Sequence, residues 1–193
     1  MKTSRGYLQG YNAQVVVDRN QIILSASVTT EQNDLQQLHP MLNDALSNLE
    51  ALGYGKGELN TFLADAGYYS EDNMAPREGQ TLEILAPPAR KSQEVVEALK
   101  THKDHPEDSP LASLPRTTPG GMAHYLSTPE GKARYKIRGT TVEPTFGQIK
   151  ENRKMRTFMR RGQAACDGEW KLICAVHNLH KLRLHQQRLK KTA

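Results

Sequence analysis

Two apolar runs, Ala13-Gln14-Val15-Val16-Val17 and Gln21-Ile22-Ile23-Leu24-Ser25-Ala26-Ser27-Val28, stand on either side of Asp18-Arg19-Asn20. Strand-forming runs that close around a short polar turn predict an antiparallel hairpin, here from Gln9 to Val28. The period then changes. Behind Asn33 or Asp34, either of which can cap a helix, Leu35, Leu38, Leu42, Leu46, Leu49 and Leu52 keep a helical spacing until Gly53 stops it. Pro40 lies early enough to cost at most a modest bend. Leu59 to Ala64 reads as a buried strand that ends at Asp65, with Ala66-Gly67 as the turn. Ser70 can cap a short helix closed by Gly79, and Thr81 to Ala86 is the next strand, ended by Pro87-Pro88. A hairpin followed by helix, strand, helix and strand predicts the α/β class, a mixed sheet flanked by helices.

From about Arg90 to Pro129 the chain turns rich in Pro, His, Thr and Gly around one amphipathic piece, Glu94 to Lys100. This predicts a surface insertion at 90–129 rather than a core element. Helices are expected again from Thr141 to Lys154 and from Gly168 to about Arg188, the latter with Leu172, Val176, Leu179 and Leu182 as its inward stripe. A chain of 193 residues supports a single domain, 1–193, that hides roughly 70% of its unfolded surface.

Charge divides the chain. Residues 1–130 carry 10 Lys/Arg against 17 Asp/Glu, whereas 131–193 carry 16 against 4. A basic helical block of that kind attracts polyanions through counterion release. With only Tyr135, Phe146, Phe158 and Trp170 interleaved, phosphate tracking on double-stranded DNA is expected over base stacking on a single strand. No run approaches the ~20 apolar residues that span a bilayer. The first seven residues hold no apolar signal core, and Cys166 and Cys174 make no disulfide framework. A cytoplasmic setting without membrane contact is the expectation.

Two acids stand where chemistry is possible. Asp65 follows the carboxyl end of an apolar strand, where open α/β sheets present ligands, and it can hold a hard cation or merely organise the turn. Glu143 is expected in the first turn of a helix capped by Thr141, where an acid also suits the helix dipole. At 100° per residue Lys150 falls within about 20° of Glu143, and Lys154 does likewise. Gly147 beside them leaves the backbone open, while Val142, Phe146 and Ile149 form an adjoining inward face. One helix would then show an acid and two cations to the same partner, as phosphodiester chemistry requires. His102, His105 and His124 with Asp104 and Asp108 lack CxxC or HExxH spacing, so no zinc site is assigned to them. No nucleotide-binding glycine motif occurs.

The blocks Gly10-Tyr11-Asn12-Ala13-Gln14, Leu63-Ala64-Asp65-Ala66-Gly67-Tyr68-Tyr69-Ser70, Leu126-Ser127-Thr128-Pro129-Glu130-Gly131, Tyr135-Lys136-Ile137-Arg138, Val142-Glu143-Pro144-Thr145-Phe146-Gly147-Gln148-Ile149-Lys150, Glu169-Trp170 and His177-Asn178-Leu179 occur in that order. In them the chain resembles the catalytic region of bacterial insertion-sequence transposases with a DDE active site, in the ribonuclease H-like superfamily. The Tyr-to-Arg spacing of three and the Glu-to-Lys spacing of seven match that pattern, and Arg138 to Glu143 is one residue longer than its commonest version.

The resemblance implies DNA transposition by two-metal nucleotidyl transfer, with carboxylates holding two Mg²⁺ ions. Asp65 corresponds to the second acid and Glu143 to the third; Tyr135, Arg138 and Lys150 correspond to residues that engage transposon-end DNA. From charge alone, Arg153, Lys154, Arg156, Arg160 and Arg161 would extend the phosphate-contacting surface. The family's first aspartate lies on a central strand ahead of the Gly10–Gln14 block, so the expectation is the C-terminal part of a transposase, inactive alone. Its partners would be transposon-end and target DNA, with a homo-oligomer or an upstream transposase fragment possible. The alternatives are a non-catalytic DNA-binding or regulatory protein, such as a transposition inhibitor, and an unrelated metal-dependent nuclease.

Overall fold

The carboxylate of Asp18 closes the first hairpin. Its Oδ1 accepts from the backbone N–H of Asn20 at 2.9 Å and of Ile22 at 2.7 Å. Gln21, at φ +65°, takes the left-handed conformation in which the chain reverses. The computed structural model describes residues 2–3, 6–7, 10–55, 58–76 and 82–192. The expected boundary residues Gln9, Gly79 and Thr81 lie outside them.

In chain order the strands are β1 (Lys2–Thr3), β2 (Gly6–Tyr7), β3 (Asn12–Val17), β4 (Ile23–Thr29), β5 (Thr61–Leu63) and β6 (Glu83–Leu85). The α-helices are α1 (Leu38–Ala51), α2 (Glu71–Met74), α3 (Gln93–Thr101), α4 (Pro119–Tyr125), α5 (Pro129–Gly147) and α6 (Gln163–Thr192). Pairing is antiparallel in β1–β2 and β3–β4 and parallel in β5–β6, so helices and small two-stranded sheets make a mixed α/β protein. The chain falls into two compact units, residues 1–32, 40–52 and 139–193 in the first and 33–39 and 53–138 in the second.

The first unit rests on the expected hairpin, with Asn12 opposite Thr29 and Ala13 opposite Val28, and a register shift between Val16 and Val17. Helix α6 supplies what a further strand would. Asn178 donates to the Ile23 carbonyl and accepts from its N–H, both at 2.8 Å. Asp167 accepts from Val28 N at 2.9 Å, and Trp170 Nε1 donates to the Gln14 carbonyl at 3.0 Å. Side chains thus satisfy backbone groups that the two-stranded ladder leaves over. Ile23, Val28, Ile149, Cys166, Trp170, Ile173 and Cys174 form the core, with Trp170 stacked on Phe146 and edge-on to Phe158. Both cysteines are free thiols, and burial pushes that of Cys174 up to about 12.

The expected inward stripe of α6 is reversed. Leu172 and Leu179 are each 65% exposed, Leu182 51% and Val176 48%. The buried face carries Cys166, Trp170, Ile173, Cys174 and His177 instead. The helix has two apolar faces, and the aromatic, thiol and imidazole face is the one that meets the sheet. In α1, Leu38 and Leu42 are buried as expected, but Leu52 is 72% exposed because it lies beyond the helix beside Gly53, at φ +88°.

The second unit surrounds the parallel pair β5–β6, where Thr61, Phe62 and Leu63 face Glu83, Ile84 and Leu85. Its core is Leu38, Ala64, Met74, Leu85, Ala86, Met122 and Tyr125. Ser70 caps α2 as expected, accepting from Asn73 N at 3.1 Å. Within the stretch expected to be a surface insertion, Leu111, on the 3₁₀ turn Pro110–Ser113, and Met122, Ala123 and Tyr125, on α4, are interior.

Helix α5 begins twelve residues before Thr141. Thr128 accepts from Gly131 N at 3.1 Å, with Pro129 and Glu130 in the first turn, and this is the cap that starts the helix. Glu143 therefore lies in the helix interior, not at its entrance. Pro144 has no N–H to offer the Thr140 carbonyl four residues back, and Gln21 Nε2 donates to that carbonyl at 3.2 Å. Past Gly147 the backbone widens into a π-helical turn, Gln148–Asn152, closed by Arg153 N on the Gln148 carbonyl. The α-helical phase that set Lys150 and Lys154 beside Glu143 does not persist, and Lys154 stands outside the helix at φ +60°.

Candidate active site

In the second unit α5 runs along the parallel pair and grips it at both ends. Near the strand starts, Arg134 donates to Thr61 Oγ1 and to Glu83 Oε2, each at 2.6 Å, and those two residues are register partners. Its other nitrogen donates to the Tyr125 hydroxyl at 2.8 Å, and Arg116, ion-paired with Glu83, lies 3.6 Å over the Tyr125 ring. Past the strand ends, Tyr135 donates its hydroxyl to the Ala64 carbonyl at 3.0 Å, and Arg138 Nη2 donates to Asp65 Oδ2 at 2.9 Å. A spacing of three puts Tyr135 and Arg138 on one helical face, so both reach the loop that leaves β5.

Asp65 also caps the 3₁₀ turn Ala66–Tyr68, its Oδ1 accepting from Ala66 N at 2.7 Å. Each carboxylate oxygen thus holds one donor and keeps lone-pair capacity, and the side chain is 58% exposed. Half-solvated, hard oxygen donors of this kind fit Mg²⁺. A second acid lies against the same turn: a methyl group on Gly67 would stand 3.2 Å from Asp34 Oδ2. Burial, then the Asp34 and Asp65 carboxylates, push the Tyr68 phenol well above its ordinary value, and Arg138 opposes them. Tyr135 is likewise raised, chiefly by burial. Asp34 makes no capping hydrogen bond; Asn33 accepts from Leu35 N at 3.0 Å instead.

In the first unit Glu143 is exposed on α5, and the space beside the Gly147 backbone is open. Lys150 is exposed with its ammonium 5.0 Å above the Phe146 ring, while Ile149 next to it is fully buried. Lys154, Arg156, Arg160 and Arg161 are exposed and Arg153 is half-buried. Arg156 pairs with Glu151. The loop that carries these cations is held by Glu169, whose carboxylate accepts from Met159 N and Arg160 N at 2.9 Å each. Sequence reasoning had not singled out Arg134, Asp34 or Glu169 for these positions. A lone arginine or acid has no spacing signal: the role of Arg134 exists only once β5, β6 and α5 are side by side, that of Asp34 once it meets the turn at Gly67, and that of Glu169 once α6 meets the basic loop.

Elsewhere, donor atoms of His105, Glu107 and Asp108 lie within 4.8 Å of one another on an exposed turn. His124 is buried, and its pKa is pushed down by burial and by His102. Among the described residues no helix is long and apolar enough to cross a membrane.

Residues 119–183, about a third of the chain, match the family of transposase DDE domains. The matched span holds α4, α5 and most of α6, with Tyr135, Arg138, Glu143, Lys150 and the basic loop; Asp65 precedes it. Over this span the chain resembles a DDE transposase, and the match points to DNA transposition, with DNA binding and divalent-metal use in general. Comparison with curated proteins and with solved structures gave no match.

Proposed function

We propose that this chain is the C-terminal part of a ribonuclease H-like DDE transposase of an insertion sequence, acting on double-stranded DNA in the cytoplasm, with Asp65 and Glu143 as its second and third acids. The observation that carries the reading is the convergence of Tyr135 and Arg138 on the loop of Asp65, inside a chain whose α5 lies in the transposase match. Asp65 and Glu143 would be the residues to hold Mg²⁺, and the ion would supply charge stabilisation to a phosphate and lower the pKa of an attacking water or DNA 3′-hydroxyl. Ala66 N fixes the Asp65 carboxylate, and Arg138 balances its charge until a phosphate or cation competes for it. Lys150, Arg153, Lys154, Arg156, Arg160 and Arg161 draw the duplex by charge. The family's first acid has no counterpart assigned in this chain, so cleavage by it alone is weak or nil.

The test is a labelled transposon-end duplex incubated with Mg²⁺. The chain alone binds it without cutting, and an upstream polypeptide that carries an acid-bearing strand restores cutting. Glu143→Gln abolishes the restored cutting while duplex binding stays unchanged. Robust cutting by the chain alone refutes the incomplete acid set, and no binding at low salt refutes the whole reading.

A second reading, a non-catalytic DNA-binding or regulatory protein that co-assembles with an intact transposase, is favoured by one observation. Both oxygens of Asp65 already serve the fold, one as a cap and one in the Arg138 pair. Under it, the upstream polypeptide restores no cutting, and Asp65→Asn leaves DNA binding intact.

A further inference from the structure

Helix α6 carries a second apolar face that stands exposed among the described residues. Leu172, Ala175, Leu179, Leu182, Gln186 and Leu189 are all exposed, and their spacing alternates three and four. This is the a/d repeat of a coiled-coil seam, with a single polar residue, Gln186, at an a position. Val176, 48% exposed, widens the seam. At 100° per residue the seam's centre lies on the side of the helix opposite Trp170, Ile173, Cys174 and His177, which pack on the sheet. Among the described residues after His177 none is buried, yet the helix continues to Thr192. A helical end with no buried residue is marginal in water, since most helical stability in proteins comes from packing of an amphipathic face.

The flanking charges identify the partner. The e and g positions beside the seam hold Lys171, Arg183 and Lys190 with Val176, Asn178, His185 and Thr192 and no acid, and residues 170–193 contain no Asp or Glu at all. A second copy would bring no acid to Lys171, Arg183 or Lys190 in either orientation, whereas glutamates at the facing positions would complement them. We propose that the exposed face of α6 from Leu172 to Leu189 is a docking surface for an acidic amphipathic helix of another protein, packed as a two-stranded coiled coil with Gln186 setting the register. This surface is separate from the DNA-directed loop, and the proposal stands whether or not the chain takes part in transposition.

The probe is a fluorescent 21-residue peptide of three heptads, with leucine at a and d and glutamate at e and g. Its partner control keeps the glutamates and replaces every leucine by alanine. Anisotropy is followed with the full chain. The leucine peptide saturates, binds at least tenfold more tightly than the alanine peptide, and weakens as salt rises. Leu179→Ser with Leu182→Ser costs at least tenfold in affinity while the far-ultraviolet circular dichroism stays unchanged, and Leu172→Ser alone gives a smaller loss in the same direction. Equal binding of the two peptides overturns the proposal. So does sedimentation equilibrium that shows a dimer dissolved by the double variant, which makes the occupant a second copy. Binding to vesicles of 30% phosphatidylserine in phosphatidylcholine without peptide binding overturns it in favour of a lipid surface.

Discussion

Asp65 and Arg138 form an ion pair whose acid is 58% exposed, which limits what the pair contributes to folding. Exposed pairs contribute about 0–1 kcal/mol, whereas an N-cap acid contributes ~1 kcal/mol. Arg138→Ala is therefore expected to move the urea midpoint little, and Asp65→Ala more, since it removes the cap on Ala66 N as well. Equal losses in urea titrations would contradict this division. His177 is a sharper case. It is fully buried, its Nε2 meets the Gln21 carbonyl at 2.8 Å, and its Nδ1 has no partner among the described residues. Burial, then Arg153, Lys181 and His180, hold its pKa below the ordinary 6.5, and the Gln21 carbonyl opposes them. The unfolded chain then takes up a proton that the folded chain refuses, so stability is present above about pH 6.5 and falls as pH drops below it. His124, also depressed, adds to the same trend. Urea midpoints from pH 7.5 to 5.5 should decline, and His177→Gln should flatten part of the slope; an unchanged slope assigns the effect elsewhere.

At the scale of elements, the corner between α4 and α5 depends on close approach. A methyl group on Gly131 would stand 2.0 Å from the Tyr125 carbonyl oxygen, and one on Gly121 2.1 Å from that of Pro115. Backbone cannot yield as a flexible side chain does, so Gly131→Ala is expected to cost about 1–3 kcal/mol or more in denaturant titrations. A neutral result would mean that α5 starts elsewhere. The same corner marks what was legible beforehand. The hairpin and α1 were readable because a β-rich pair around Asp18 and a leucine repeat closed by Gly53 are local signals. The start of α5 was missed although Thr128-Pro129-Glu130 is itself a cap signal, because it closes a Pro- and Gly-rich stretch read as irregular. In α6 the periodicity was seen and the face was wrong. Leu172, Val176, Leu179 and Leu182 have the higher hydropathy, but Trp170, Cys174, His177 and Asn178 fit the hairpin's apolar surface and its unpaired backbone groups. Asp65 was visible as the acid after a strand; Arg134, which ties Thr61 to Glu83, was not, because both partners arrive from distant sequence.

Over the whole molecule the charge asymmetry makes the broadest expectation. Residues 131–193 hold 16 cations against 4 acids, so duplex affinity should fall steeply and linearly in a plot of log affinity against log salt. Lys150→Ala with Lys154→Ala should weaken binding across all sequences and reduce the slope by about 2, roughly 0.9 for each phosphate left without its cation. An unaltered slope puts the duplex on another surface. The candidate metal centre has a more direct test, localised cleavage of the backbone by Fe²⁺ in place of Mg²⁺, with ascorbate and peroxide, on the full chain bound to duplex. Fragments ending near both Asp65 and Glu143, lost in Asp65→Asn and Glu143→Gln, are the result expected. Cuts confined to the neighbourhood of His105, Glu107 and Asp108, or none above background, would contradict metal binding at these two acids.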